Sequence, residues 1–319
     1  MAPKLEIASV RLLAALLAIS AACGTTGAPS RKSAAEPTPE TPPAGAPVEA
    51  EPGSPPPAPD DMQKLAAEVA EMAPEGFVLL EAPPFVVTGD LEPRELRRFT
   101  ERTIRWAVER LREGFFDKEP SSAISIWLFS GAESYSRHSR ELFGRRPDTP
   151  FGYYSPPHRA LVMNIATGGG TLVHEIVHPF VEADFPDCPP WLNEGLGSLF
   201  EQCAERDGRI HGLVNWRLPG LSRAIRSGDL PRFEELLALD ERRFYDEDPG
   251  TNYAQSRYLC LYLQERGLLR RFYRELRDNV AGDPRSVATL RGLLGVDDLD
   301  AFQRDWEAWV LSLKYDPDR

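Results

Sequence analysis

The sequence predicts an α+β fold, a small mixed sheet with helices followed by a mainly helical C-terminal lobe. Three observations lead there. Two runs rich in β-branched and aromatic residues, Phe77–Thr88 and Ala123–Phe129, read as strands separated by a long helical pattern. Tyr153–Ser155 and Ala160–Asn164 flank Pro156-Pro157-His158 and read as a hairpin. After residue 190 the apolar residues recur mainly at helical spacing.

Residues 1–23 read as an export signal. Lys4 and Arg11 charge the front, Leu12 to Ala22 form a short apolar stretch, and Ser20-Ala21-Ala22-Cys23 supplies small residues for cleavage. Eleven residues are too few to cross a bilayer as a helix. Cys23 after such a site resembles a bacterial lipobox, although Ser20 stands where an aliphatic residue is usual. The resemblance implies lipidation of Cys23; plain secretion is the alternative. Either way the chain is expected outside the cytoplasm, lipid-anchored to the cell envelope (the outer membrane included) or secreted. Membrane contact is then expected only through the N-terminal lipid.

From Gly24 to Asp61 lie eleven of the chain's 30 prolines and no aromatic residue. Such a segment cannot form a core and reads as an extended tether, reaching on the order of 100 Å at ~3.1 Å per residue. Residues 62–319 suffice for one two-lobed domain, a sheet-containing lobe over 62–190 and a helical lobe over 191–319. Between the first two strands, Glu95–Glu113 forms an amphipathic helix with Leu96, Phe99, Ile104, Ala107 and Leu111 inward. Gly168-Gly169-Gly170-Thr171 lacks the lysine of a phosphate loop and opens into the next helix, where Thr171 is expected to help cap it.

That next helix carries His174-Glu175-Ile176-Val177-His178. Two histidines four apart on a helix project from one face, where their imidazoles can hold two positions of a tetrahedral zinc ion. Glu175 beside them can take the proton of a water activated there. A catalytic zinc keeps three protein ligands and one open position, so a third is needed. Pro189-Pro190 starts a second helix in which Leu192, Leu196, Leu199 and Cys203 mark a buried stripe, while Glu194, Ser198 and Glu201 share another. A carboxylate from its first turn could complete a set of two histidines and one glutamate. The rival, Glu182, would lie ~12 Å along the axis from His174 were the helix to run straight, too far for one ion. Pro179 crowds the carbonyl of Glu175, so a kink or helix end is expected nearby. No downstream Gly and His extend the pattern to three histidines.

Gly152-Tyr153-Tyr154-Ser155, Ala160–Asn164, His174–His178 and Trp191-Leu192-Asn193-Glu194-Gly195 occur in that order. Together they resemble the peptidase-MA-like branch of the gluzincins, thermolysin-related zinc metallopeptidases. The similarity continues at Tyr253-Ala254-Gln255-Ser256 and in Leu299–Leu311, and covers residues 77–315. It implies a zincin-like fold, one zinc ion in the cleft between the lobes, His174, His178 and Glu194 as ligands, and Glu175 as general base. Gly197, where the family usually has alanine, and Pro179 depart from its pattern. The resemblance also implies a carboxylate behind a ligand histidine one turn after the glutamate. Ser198 stands at that place, with Glu201 a turn further as the other candidate. Tyr253 is the first choice for the donor to the oxyanion and His211 the second. Tyr153, Tyr154 and Ser155 form an edge to which an extended peptide or protein substrate would add as a strand.

A formal charge of −12 argues against a nucleic-acid partner. Cys188, Cys203 and Cys260 permit one bridge at most, and no Cys-x-x-Cys spacing suggests a cysteine metal site. The expected activity is therefore zinc-dependent peptide-bond hydrolysis. The alternatives are a lipid-anchored binding or envelope-assembly protein that retains the fold without turnover, and a zinc amidase acting on cell-wall peptides.

Overall fold

The computed structural model describes residues 56–316. The export signal, Cys23 and the tether as far as residue 55 lie outside the described residues. Helix α1 (Pro59–Met72) begins inside the segment expected to be tether, because Met62, Leu65 and Val69 give it a face to bury. β1 (Leu80–Ala82) and β2 (Phe85–Gly89) follow, then α2 (Pro93–Phe99), α3 (Trp106–Gly114), β3 (Ile124–Phe129) and α4 (Ala132–Phe143). Next come β4 (Gly152–Ser155), β5 (Ala160–Asn164), α5 (Gly169–Asp184) and α6 (Pro190–Phe200). A small hairpin, β6 (Cys203–Arg206) with β7 (Arg209–Gly212), separates these from the remaining helices. Those are α7 (Leu218–Ser227), α8 (Phe233–Leu236), α9 (Glu241–Asp246), α10 (Pro249–Glu265), α11 (Leu269–Asn279), α12 (Val287–Leu294) and α13 (Leu299–Ser312). The fold is α+β with a small mixed sheet, and among the described residues no helix is long and apolar enough to cross a membrane.

The strands lie in the order β1-β2-β3-β5-β4. The three inner strands are parallel and the two edge strands antiparallel to their neighbours. Strand alternation divides the side chains cleanly. Phe85, Val87, Ile124, Ile126, Leu128, Leu161 and Met163 join a large core that runs on through α3, α5, α6, α10 and α13. Val86, Trp127, Phe129, Ala160 and Val162 face the opposite side, where α1 and Tyr135 of α4 cover them. The two expected lobes thus share one continuous apolar core.

Four expectations are corrected. The run Phe77–Thr88 is a hairpin rather than one strand, since Pro83-Pro84 removes two ladder donors and turns the chain between β1 and β2. The helix over Glu95–Glu113 contains a π segment, Thr100–Arg105, in which the Thr100 hydroxyl donates to the Leu96 carbonyl at 2.9 Å. That extra residue brings Leu96, Ile104, Ala107, Val108 and Leu111 onto one buried face. α5 runs unbroken through Pro179 to Asp184, because Val177, Phe180 and Val181 are packed against the core. Glu182 is exposed on that helix. Finally, α6 ends at Phe200, so Cys203 belongs to β6 instead of extending the helical stripe.

Three contacts fix the helices that matter below. Gly170 at the start of α5 leaves room for the Glu201 carbonyl, which an added Cβ would meet at 2.3 Å. Thr171 makes no capping bond. At the far end of α5, Arg277 binds the buried Asp184 at 2.8 and 3.0 Å and Asp117 at 3.0 Å. Between α6 and α10, the fully buried Arg257 donates to the Ser198 carbonyl at 2.8 Å and to that of Leu213, placing a positive charge at the C-terminal end of α6. Cys188, Cys203 and Cys260 are all free.

Gly195 marks the closest approach of α6 and α10: a Cβ there would lie 2.8 Å from Cys260 Sγ and 3.1 Å from the Ser256 carbonyl oxygen. Gly195→Ala is therefore expected to destabilise the fold by about 1–3 kcal/mol through overpacking. Urea unfolding checks this, and a variant as stable as its parent would rule out the tight crossing. Burial pushes the Asp117 carboxyl up, but hydrogen bonds from Arg274 and Arg277 outweigh it and hold the pKa below 3.8. A folded-state pKa depressed in this way contributes stability that is present above the unfolded value and lost as pH falls through the folded one. Asp117→Asn should accordingly flatten the loss of stability below pH 3.8, measured as unfolding midpoint against pH.

Candidate metal centre

α5 and α6 pack side by side and aim three side chains at one point. His174 and His178 project from the same face of α5 with ring centres 4.9 Å apart, as a separation of four residues dictates. Glu194 comes from α6 and is completely buried. Its Oε2 lies 3.2 Å from His174 Nε2 and 3.8 Å from His178 Nε2. One ligand atom from each of the three lies within 4.8 Å of the others. A tetrahedral ion with ~2.0–2.1 Å bonds places its donors about 3.3 Å apart, so the spacing suits one small cation.

The state of these atoms supplies a separate test. His178 Nε2 and Glu194 Oε2 are buried and make no hydrogen bond. Each such orphan costs on the order of 1–3 kcal/mol unless something satisfies it. A divalent cation at their meeting point satisfies both, and two imidazoles with one carboxylate are a donor set suited to zinc. The residues fit a metal ion.

Electrostatics follow from burial. Glu194 loses hydration, which raises its pKa, but the histidines and a hydrogen bond from Tyr245 bring it down to about 2. The carboxylate is therefore charged and ready to ligate. Burial lowers the pKa of His178 and keeps that ring neutral, as metal binding requires. Glu175 is buried with Oε2 unpartnered, and burial, reinforced by the charge of Glu194, pushes it up to about 7 against the pull of His174.

The structure assigns the surrounding residues differently from the sequence. His178 Nδ1 is 2.9 Å from Asn193 Oδ1, and this contact fixes the ring with Nε2 toward the point of convergence. The Ser198 hydroxyl is buried without a hydrogen bond, and Glu201 is ion-paired with Arg217. Neither takes the place beside His178 that Asn193 occupies. Gly197 lies against the His174 ring, where a Cβ would come within 3.0–3.1 Å of three ring atoms. Tyr253 does reach the group: it is buried on α10 with its ring nearly parallel to that of His174, 6.3 Å between centres. Arg217 stands 5.9 Å from the Tyr253 ring centre. His211, on the small hairpin, instead belongs to a polar set with Arg206 of that hairpin and Gln264 and Glu265 of α10. β4 is an edge strand, as expected of Tyr153–Ser155. Tyr153 and Ser155 point into the protein, Ser155 Oγ meeting His158 Nδ1 at 2.9 Å, and only Tyr154 is partly exposed.

Sequence reasoning missed Asn193 and Tyr245. Asn193 was legible as the neighbour of Glu194 on the same helix. Tyr245, whose hydroxyl donates to Glu194 Oε1 at 2.5 Å, sits in a short helix with no motif to mark it.

Asn193→Ala should leave the fold intact and weaken metal affinity roughly 10–100-fold, since His178 loses the partner that orients it. Competition with a chromophoric chelator measures this, and unaltered affinity would exclude an orienting role for Asn193.

No protein-family model matches the chain, and no curated protein was found to match it.

Proposed function

We propose that the protein is a zinc-dependent metallopeptidase of gluzincin type, acting on peptide bonds outside the cytoplasm. The observation that carries this reading is the convergence of His174, His178 and Glu194 with unsatisfied ligand atoms, beside the unpartnered carboxylate of Glu175. Zinc, when held there, supplies Lewis acidity toward a carbonyl oxygen and lowers the pKa of water. His174 and His178 would hold the ion through Nε2, and Glu194 would contribute one negative charge through Oε2. Glu175 takes the proton of the attacking water on Oε2 and delivers it to the leaving amine. Its elevated pKa suits both halves of that transfer, because a base tuned near neutral pH releases the proton as readily as it accepts it. The Tyr253 hydroxyl donates to the developing oxyanion, a contribution of several kcal/mol when the donor is already in place. Its packing against the His174 ring supports that assignment. An extended substrate pairs its backbone with the free edge of β4, where Tyr154 offers the accessible side chain. Recognition by that edge is indifferent to most of the substrate's sequence.

Export and a lipid on Cys23 would set this chemistry at the cell envelope. Globomycin-sensitive processing in a bacterial host tests the lipid.

The central experiment joins two variants and two measurements. Glu175→Gln should retain stoichiometric zinc and lose peptide hydrolysis by at least 10²-fold, whereas His178→Ala should lose the metal. Metal analysis and digestion of a broad peptide library read these outcomes. Zinc bound by the unaltered protein without cleavage of any peptide would favour the non-catalytic binding protein. Full activity in Glu175→Gln would refute the assigned base.

A further inference from the structure

We propose that Tyr245 is a positioning residue: it anchors Oε1 of Glu194 so that Oε2 alone is presented to the metal. The inference rests on the metal-site reading above and concerns how one ligand is held.

A glutamate carboxylate turns about a torsion with broad, nearly two-fold preferences, so burial alone does not settle which oxygen faces a cation. Here the two oxygens have separate surroundings. Oε1 accepts from the Tyr245 hydroxyl at 2.5 Å. Oε2 makes no hydrogen bond and faces both histidine nitrogens. A tyrosine has one proton to give, and Tyr245 gives it to the ligand. That separates its task from that of Tyr253, which packs on the His174 ring. A carboxylate pinned at one oxygen ligates through the other, leaving a coordination position open for a reacting molecule.

The hydroxyl is aimed by structure on both sides of it. Asn252 donates through Nδ2 to the carbonyl oxygens of Phe244 at 3.0 Å and Glu247 at 2.6 Å, clasping the residues around Tyr245 to the first turns of α10. Asp240 caps the start of α9 by accepting from the Arg243 amide at 2.8 Å. The Tyr245 ring lies 5.6 Å from that of Phe244 and 6.4 Å from that of Tyr253. α9 is thus a bracket whose buried tyrosine hydroxyl meets the third ligand. If Tyr245 were needed only for packing, any backbone carbonyl would have served as its acceptor.

The test compares wild type with Y245F by chelator competition for Zn2+ and by visible absorption after Co2+ loading. Apparent zinc affinity is expected to fall roughly 10–100-fold. The cobalt bands are expected to weaken as the freed carboxylate adds its second oxygen to the ion. The unfolding midpoint of the metal-free protein is expected to fall as well, because the buried Glu194 carboxylate loses a donor, so zinc affinity and the cobalt spectrum of the folded variant carry the decision. Unchanged zinc affinity and an unchanged cobalt spectrum would overturn the assignment. Should Y245F not fold, N252A carries the same test, because it keeps the hydroxyl while unfastening α9. Wild-type protein that takes up no zinc would overturn the metal reading itself, a result visible before any variant is compared.

Discussion

One fully buried carboxylate governs the arrangement of this molecule. Glu194 is cut off from solvent, and an unpaired ionised carboxylate in such a place would cost several kcal/mol. Everything around it answers that cost. Two imidazoles come from α5, one tyrosine hydroxyl from α9, and the ring of a second tyrosine from α10. The packing of α5 on α6 and of α6 on α10 serves this meeting. Gly170, Gly195 and Gly197 lie where a single extra carbon would drive the partners apart. Pinning the far ends of α5 and α6 through Arg277 and Arg257 completes the frame.

The histidine pair and its spacing were legible because they depend only on helical periodicity. Glu194 was legible because Pro189-Pro190 announces a helix start and puts a carboxylate in its first turn; its assignment as the third ligand came with the family resemblance. Strand positions followed from β-branched runs, and the edge location of β4 from its hairpin. What stayed hidden depends on contacts across long sequence separations. No local pattern tells that α9 will lie against α6, so Tyr245 was invisible. The π segment was missed because its signal, an apolar face shifted by one residue, looks like ordinary scatter in an amphipathic helix. The end of α6 at Phe200 was misjudged since Cys203 continues the stripe in spacing, though the chain there enters a hairpin. The carboxylate sought behind a ligand histidine was looked for at Ser198 and Glu201, yet an amide one residue before the ligand fills that place on His178.

Three donors brought together from two helices, two of them with ligand atoms that no protein group satisfies, form a demanding arrangement. An apolar interior would be cheaper to maintain, and a structural ion pair would leave neither an orphaned imidazole nitrogen nor an orphaned carboxylate oxygen. The elevated pKa of Glu175 adds a second group whose burial has no structural return.

α1 has a geometric corollary. It lies on the side of the sheet occupied by Trp127 and Val162, whereas α5 and α6 lie on the other. Asp61 near its start is held by the Ala123 amide and Arg159, at the beginnings of β3 and β5. The helix therefore starts behind the sheet, which stands between it and the three converging side chains, so a change on its exposed face reaches that group only through the strands.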